Sequence, residues 1–239
     1  MPTRSKGRHS RFIRLGGLAI LLGLGLHIAL NGFIKQFPEG VESAAELRAY
    51  LEAQASAWTL INGLRYIAFA CIALFAAALF QRTCPRGAEN ARGWGVFGLL
   101  GAAIFVTNGM ITNGIEALTY LNGGPASQSP EQFWVLFHLT RTLFTAELAM
   151  WSILILGFSA AGWSSASLPR WVSGLGFIQA ALGLLSGVFL VSVMTDGWAT
   201  TLADGAAFAG LAWFTTVGAL MLLNPVPIAA PAPGTRPDL

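Results

Sequence analysis

Apolar residues come in six long runs along this chain, separated by short polar segments. The runs extend over Leu15 to Ile34, Trp58 to Phe80, Trp94 to Leu121, Phe133 to Ala160, Trp171 to Met194, and Asp204 to Leu223. About 20 helical residues are enough to cross a hydrocarbon core of roughly 30 Å. The pattern therefore predicts an all-α fold, a polytopic membrane helix bundle with six transmembrane helices.

The positions of the cations predict how these helices are oriented. Only 10% of the residues are charged, against about 25% in a soluble domain. One side of the predicted bundle holds Arg4, Lys6, Arg8, Arg11, Arg14, Arg82, Arg86, Arg92, Arg170 and Arg236, and the other holds Lys35 and Arg48. The positive-inside rule then predicts a multi-pass protein of the bacterial cytoplasmic (inner) membrane, with both termini in the cytoplasm.

Charge and motifs exclude several classes of function. The net charge of +3 reflects the asymmetry across the membrane, so we expect membrane lipids as partners and no nucleic acid. The chain has no Asp-rich prenyltransferase motif, no G-x-S-x-G nucleophile, no H-E-x-x-H pair and no P-loop. Cys71 and Cys84 form no C-x-x-C pair, and no metal site is predicted.

The same pattern divides the chain into three regions. Residues 1–14 form a basic cytoplasmic leader, residues 15–223 the transmembrane domain, and residues 224–239 a cytoplasmic tail rich in Pro and Ala. Such a composition predicts a disordered tail.

The external loop, residues 35–57, is predicted to contain a short amphipathic helix. Ser43 and Glu46 have the spacing of a capping box, and Leu47, Tyr50 and Leu51 would share one helical face. That helix either rests on the lipid surface or forms a lid over the external mouth of a cavity.

Ionisable residues within the apolar runs indicate where a site lies. Arg65, Arg141, Glu116, Glu147, His27 and His138 all occur in these runs. Placing a charged side chain near the bilayer midplane costs at least about 2.5 kcal/mol, so such residues mark functional sites with paired charges. The competing explanation is that these residues only hold neighbouring helices together through hydrogen bonds and ion pairs.

Counting residues from the helix ends places most of these groups in the outer half of the bilayer. Asn108, Thr112 and Glu116 recur at i, i+4 and i+8, which puts them on one helical face. The predicted ligand-binding residues in this layer are Arg65, Arg141, Asn62, Asn108, Asn113 and His27. They predict a polar pocket that opens to the external face.

Glu147 is expected to stand apart from this layer. It lies nine residues after His138, which is about half a turn round the helix, and it is nearer to mid-depth. Glu116 is therefore the predicted ion-pair partner of Arg65 or Arg141.

Several functions fit such a pocket. Two arginines suit the head group of an amphipathic or anionic small molecule, which the protein would bind for transport, sensing or modification. A membrane-embedded enzyme acting on a lipid-like substrate is a second hypothesis, with Glu116 and His138 as catalytic acid and base.

Two further alternatives involve a cofactor or a partner chain. His27 and His138 lie on different predicted helices at similar depth, as axial ligands of a b-type haem would. A structural subunit or homo-oligomer is the other alternative, because Gly183 and Gly187 form a G-x-x-x-G pair on the fifth predicted helix. Such pairs bring helices close together, within the bundle or between chains.

One junction resembles a known group of proteins. Leu168, Pro169, Arg170 and Trp171, followed by Gly174, Leu175 and Gly176, look like the loop-to-helix junction of a broad family of uncharacterised bacterial six-helix integral membrane proteins. That resemblance, together with the hydropathy layout, implies the fold and the location but no activity.

Overall fold

A computed structural model describes residues 3–33, 43–120, 129–195 and 197–225. Within these residues the chain is all helix, and no strand is present. The helices are α1 (Thr3–Phe33), α2 (Ala44–Ala53), α3 (Ala55–Thr83), α4 (Glu89–Tyr120), α5 (Pro130–Ser164), α6 (Arg170–Val188), α7 (Leu190–Met194) and α8 (Thr200–Leu223). The all-α class is confirmed, and the predicted disordered tail lies outside the described residues from 226 onward.

Five helices, α3, α4, α5, α6 and α8, are long and apolar enough to cross a membrane. The structure thus has long apolar helices of the kind that a helical membrane protein requires. The predicted run from Trp171 to Met194 is not one helix: α6 ends at Val188, and α7 follows after Phe189. Phe189 leaves helical geometry with ψ at 33°, which interrupts the helix although the apolar pattern continues.

Contacts between the long helices follow a closed circuit. Each of α1, α3, α4, α5, α6 and α8 packs against the next in this order, and α8 packs back against α1. We call this arrangement the helix ring. One end of the ring carries α2, and we call it the outer end. The other end carries the turns at residues 84–88 and 165–169, and we call it the inner end.

Large apolar side chains fill the inner part of the ring. Phe75, Leu154 and Phe158 are fully buried there, and the Phe75 ring meets the Trp213 ring edge to face at 6.3 Å between centroids. Buried side chains and edge-to-face rings of this kind are typical of a packed protein core. The inner part of the ring is therefore a solid core.

Glycines bring α4 and α5 into backbone contact. A Cβ placed on Gly157 would lie 2.3 Å from the backbone nitrogen of Gly98, and one on Gly101 would lie 2.4 Å from that of Leu154. Small residues allow this approach in membrane helices, where packing rather than hydrophobic burial drives association.

The predicted G-x-x-x-G pair also packs within the chain. A Cβ on Gly183 would lie 2.0 Å from the Ser152 hydroxyl oxygen, and one on Gly187 would lie 2.6 Å from the Ala149 Cβ. Both Ser152 and Ala149 belong to α5. The glycine pair therefore makes the predicted contact within the bundle, with a neighbouring helix of the same chain.

Side-chain caps define the start of two helices at the outer end. The Ser43 hydroxyl accepts a hydrogen bond from the Glu46 N–H at 3.3 Å at the start of α2. Ser129 forms a complete capping box with Gln132, with Pro130 in the first turn of α5. Helix α2 lies within residues 35–57, where a short helix is predicted, and the Arg48 guanidinium lies 5.7 Å from the centroid of the Phe133 ring of α5.

Arg82 closes the inner end of the ring. It is 1% exposed, and its Nη1 donates to the backbone oxygens of Leu220 and Asn224 at the end of α8. A cation stabilises the unsatisfied carbonyls and the negative dipole end at a helix C-terminus. The end of α3 and the end of α8 are thus joined by one side chain.

We expect Arg82→Met to lower the free energy of unfolding by about 1.5–3 kcal/mol, the range for hydrogen bonds to a charged group. The Asn224 carbonyl loses its Arg82 donor and the Leu220 carbonyl keeps only the Asn224 N–H, so amide exchange at the end of α8 should also accelerate. Arg86→Met is the matched control because Arg86 is exposed in the adjacent turn. Equal losses in the two variants would contradict the capping role of Arg82.

Candidate functional site

A buried ion pair joins α3 to α4 in the outer part of the ring. Nη1 of Arg65 donates to Oε2 of Glu116, with the two side chains 19% and 5% exposed. The Arg65 guanidinium also lies 5.9 Å from the centroid of the Trp58 ring, within reach of a cation–π interaction. The charge of Arg65 is therefore balanced by Glu116 within the protein.

Asparagines hold the helices on either side of this pair. Nδ2 of Asn113 donates to the backbone oxygen of Asn62 at 3.0 Å, which connects α4 to α3. Asn62 donates in turn to the Trp58 backbone oxygen at 3.1 Å. The i, i+4, i+8 spacing on α4 brings Asn108 one turn deeper, where its Nδ2 donates to the Leu143 oxygen of α5 at 3.1 Å.

Glu147 belongs to this cluster, contrary to the expectation that it stands apart. Its Oε1 lies 3.5 Å from Nδ2 of Asn108, and the charges of Arg65 and Glu116 both act on it. Half a turn does separate Glu147 from His138, but the Glu147 face of α5 is the one that points into the ring. We call Arg65, Glu116 and Glu147 the charge cluster.

A cavity opens beside the charge cluster. Side chains of α1, α3, α4, α5 and α8 line it, and its polar lining residues include Arg65, Thr112, Asn113 and Glu147. Its volume is about 70 Å³. Phe144, at its edge, is 38% exposed.

Four aromatic rings also line the cavity. Phe69, Phe105, Trp151 and Phe214 line it, and we call them the aromatic wall. Consecutive rings lie 6.4, 6.4 and 5.6 Å apart between centroids, the spacing of interacting aromatic pairs. Gly109 makes room for this wall, because a Cβ there would lie 2.3 Å from the Phe69 ring.

Five predicted site residues do not line the cavity: Asn62, Asn108 and Glu116 make helix-to-helix contacts beside it, and His138 and Arg141 lie elsewhere on α5. His138 packs against the rings of Trp134 and Phe137 on its own helix, 4.7 and 5.4 Å between centroids. Arg141 is exposed on the outside of α5, and no described carboxylate pairs with it. His27 occupies a position one turn beyond Gly23, a cavity residue, but its side chain lies outside the described part of the structure.

No family model, curated protein or solved structure matches this chain. The resemblance of the junction at Leu168 to Gly176 to bacterial six-helix membrane proteins therefore gains no support from known families. Functional conclusions rest on the charge cluster and the cavity themselves.

The described residues contain no group of three His, Cys, Asp or Glu side chains placed to hold a metal ion. The cavity lining offers instead one arginine, one carboxyl group, one amide and one hydroxyl beside apolar side chains. Such a site combines a few hydrogen-bonding groups with apolar contact, which is typical of small-molecule pockets.

Sequence reasoning missed the aromatic wall and the place of Glu147. Aromatic residues occur throughout the apolar runs, so Phe69, Phe105 and Phe214 carry no distinguishing signal in the sequence. Glu147 did carry one, since a carboxyl group near mid-depth is costly. Comparing its face with that of Trp151, four residues later on the same side of α5, would have indicated an inward direction.

Proposed function

We propose that this chain is a multi-pass protein of the bacterial inner membrane with six membrane-spanning helices and both termini in the cytoplasm. Support for a sixth span comes from α1, whose 31 residues extend about 46 Å and pack beside α3 and α8. The excess of cations at the inner end of the ring supports the orientation.

We further propose that the cavity binds an amphipathic small molecule, as the first step of transport, sensing or modification. The observation that carries this proposal is a single cavity lined both by polar side chains, Arg65, Asn113 and Glu147, and by the four rings of the aromatic wall. A polar head group would contact Glu147 and Asn113, and an apolar chain would pack on the wall. The solid core beneath the cavity favours entry from the outer half of the membrane.

Catalysis by Glu116 and His138 has less support. Glu116 is held in the ion pair with Arg65, and His138 does not line the cavity. A general acid and base must both reach the same substrate, so binding is the function that the geometry favours.

A cavity-filling variant tests the binding proposal. Ala68 lines the cavity on α3, and Ala68→Phe would place a ring in the space that a ligand needs. We expect native mass spectrometry in mild detergent to find a bound amphiphile on the wild-type protein and on Ala70→Phe, but not on Ala68→Phe. Ala70→Phe is the matched control because Ala70 lies two residues away on the exposed side of α3.

Each outcome of that experiment decides the proposal. Loss of the bound molecule in Ala68→Phe alone supports the cavity as its site. If all three proteins carry the same bound molecules, those molecules lie on the outer surface of the protein. If the wild-type protein carries none, the polar residues serve only to hold the helices together.

A further inference from the structure

The charge cluster contains more negative than positive groups. Arg65 is its one cation, and Glu116 already pairs with it. Glu147 is left with an amide contact to Asn108 at 3.5 Å and no cation of its own among the described residues. An isolated carboxylate in the membrane interior is costly, so a cation that enters the cavity would be stabilised beside Glu147.

A second, independent feature is an unpartnered acceptor. Oδ1 of Asn113 is buried and has no hydrogen-bond partner, although the side chain is only 1% exposed. Its orientation is fixed, because the other end of the amide must be the nitrogen that donates to the Asn62 oxygen. Asn113 lines the cavity together with Glu147, and a small shift of its side chain would offer Oδ1 as a second acceptor to a ligand that carries N–H donors.

The aromatic wall favours the same charge. Aromatic faces attract cations through the ring quadrupole, and the attraction grows when the cation is desolvated. Phe105, Trp151 and Phe214 line the cavity together with Glu147. One feature favours an acceptor instead, since Nε1 of Trp151 is buried without a partner; a single neutral donor is outweighed by a carboxylate and an amide oxygen.

The volume of the cavity limits the size of the ligand that it can hold. The cavity volume is about 70 Å³, against about 10–15 Å³ for a single water. The cavity therefore takes a compact head group and a slender chain rather than a bulky ring system. A primary or secondary ammonium group on an aliphatic chain has these dimensions.

We infer that the ligand of this cavity is an aliphatic amine in its protonated form, with Glu147 as the counter-charge and Asn113 as a second acceptor. This inference rests on the proposed binding function and names the chemical class of its ligand. It replaces the anionic head group expected from two arginines, because Arg65 is already neutralised and Arg141 lies outside the cavity.

Three probes with the same chain length test the inference at neutral pH: decylamine, 1-decanol and decanoate. Affinities would be measured by thermal shift on the full chain in lipid nanodiscs, with the shift seen for Ala68→Phe subtracted as bilayer background. We expect decylamine to bind the wild-type protein about tenfold or more tightly than decanol, and decanoate to bind most weakly. In Glu147→Gln the preference for decylamine over decanol should disappear, whereas Glu131→Gln, an exposed carboxylate on the same helix, should keep it.

The outcomes separate the two proposals. Equal affinity for decylamine and decanol, tighter binding of decanoate, or an unchanged preference in Glu147→Gln would overturn the amine assignment and leave a binding cavity. If no probe shifts the wild-type protein more than Ala68→Phe, both the amine assignment and the binding function fail. The comparison of probes on the wild-type protein decides the amine assignment even if Glu147→Gln does not fold.

Discussion

Arg65→Leu should lower the free energy of unfolding by about 3–5 kcal/mol, the loss found when one partner is removed from a buried ion pair. The variant leaves Glu116 and Glu147 as neighbouring carboxyl groups without a cation in the described cluster. Equilibrium unfolding in mixed micelles would measure the loss. The double variant Arg65→Leu/Glu116→Leu should recover part of it, because a hydrophobic pair leaves less uncompensated charge than the single variant does.

Arg141→Leu is the matched control for this experiment. It makes the same chemical change in another helix at a residue that is exposed and has no described carboxylate partner. We expect a change below about 1 kcal/mol, as for a surface substitution. If Arg141→Leu were as destabilising as Arg65→Leu, the stability would not depend on the charge cluster.

The second large effect is expected from Gly157→Ala. The added methyl group would lie 2.3 Å from the backbone nitrogen and 2.5 Å from the Cα of Gly98, and neither backbone atom can rotate away. Helices α4 and α5 must therefore separate, which we expect to cost about 1–3 kcal/mol or more. Unfolding in mixed micelles would show this loss as a lower midpoint.

Gly174→Ala provides the comparison. Position 174 also lies in a long helix, but a Cβ there meets no atom within 4 Å. Replacing a helical glycine with alanine should then be neutral or stabilise by up to about 1 kcal/mol. Equal effects at the two positions would mean that the contact between α4 and α5 is not as close as described.

The helices could be predicted from the sequence because apolar periodicity and length are properties of single segments. The interruption at Phe189 could not, since the residues on both sides of it remain apolar. The start of α5 is also encoded in the sequence, because Ser129, Pro130 and Gln132 form a capping sequence just before the apolar run.

The candidate site was predictable only in part, because depth along a helix is easier to obtain than direction around it. Counting residues from the helix ends places Arg65 and Glu116 in one layer, and their side chains form an ion pair. Arg141 and His138 lie on faces of α5 that do not line the cavity, whereas Glu147 lies on the face that does. Which face of α5 points inward depends on contacts with α4 and α6, and a single sequence does not contain that information in local form.

The closed circuit of the helix ring has a consequence for the order in which the protein can assemble during synthesis. Helix α8 is the last described helix to leave the ribosome, yet it supplies Phe214 of the aromatic wall, the contact with α1 and the carbonyls that Arg82 caps. Before α8 inserts, Arg82 is an unpartnered cation at the inner end, and the cavity lacks one wall. Closure of the ring and completion of the cavity are therefore one event, so the ligand proposed above would meet a complete cavity only after α8 has packed.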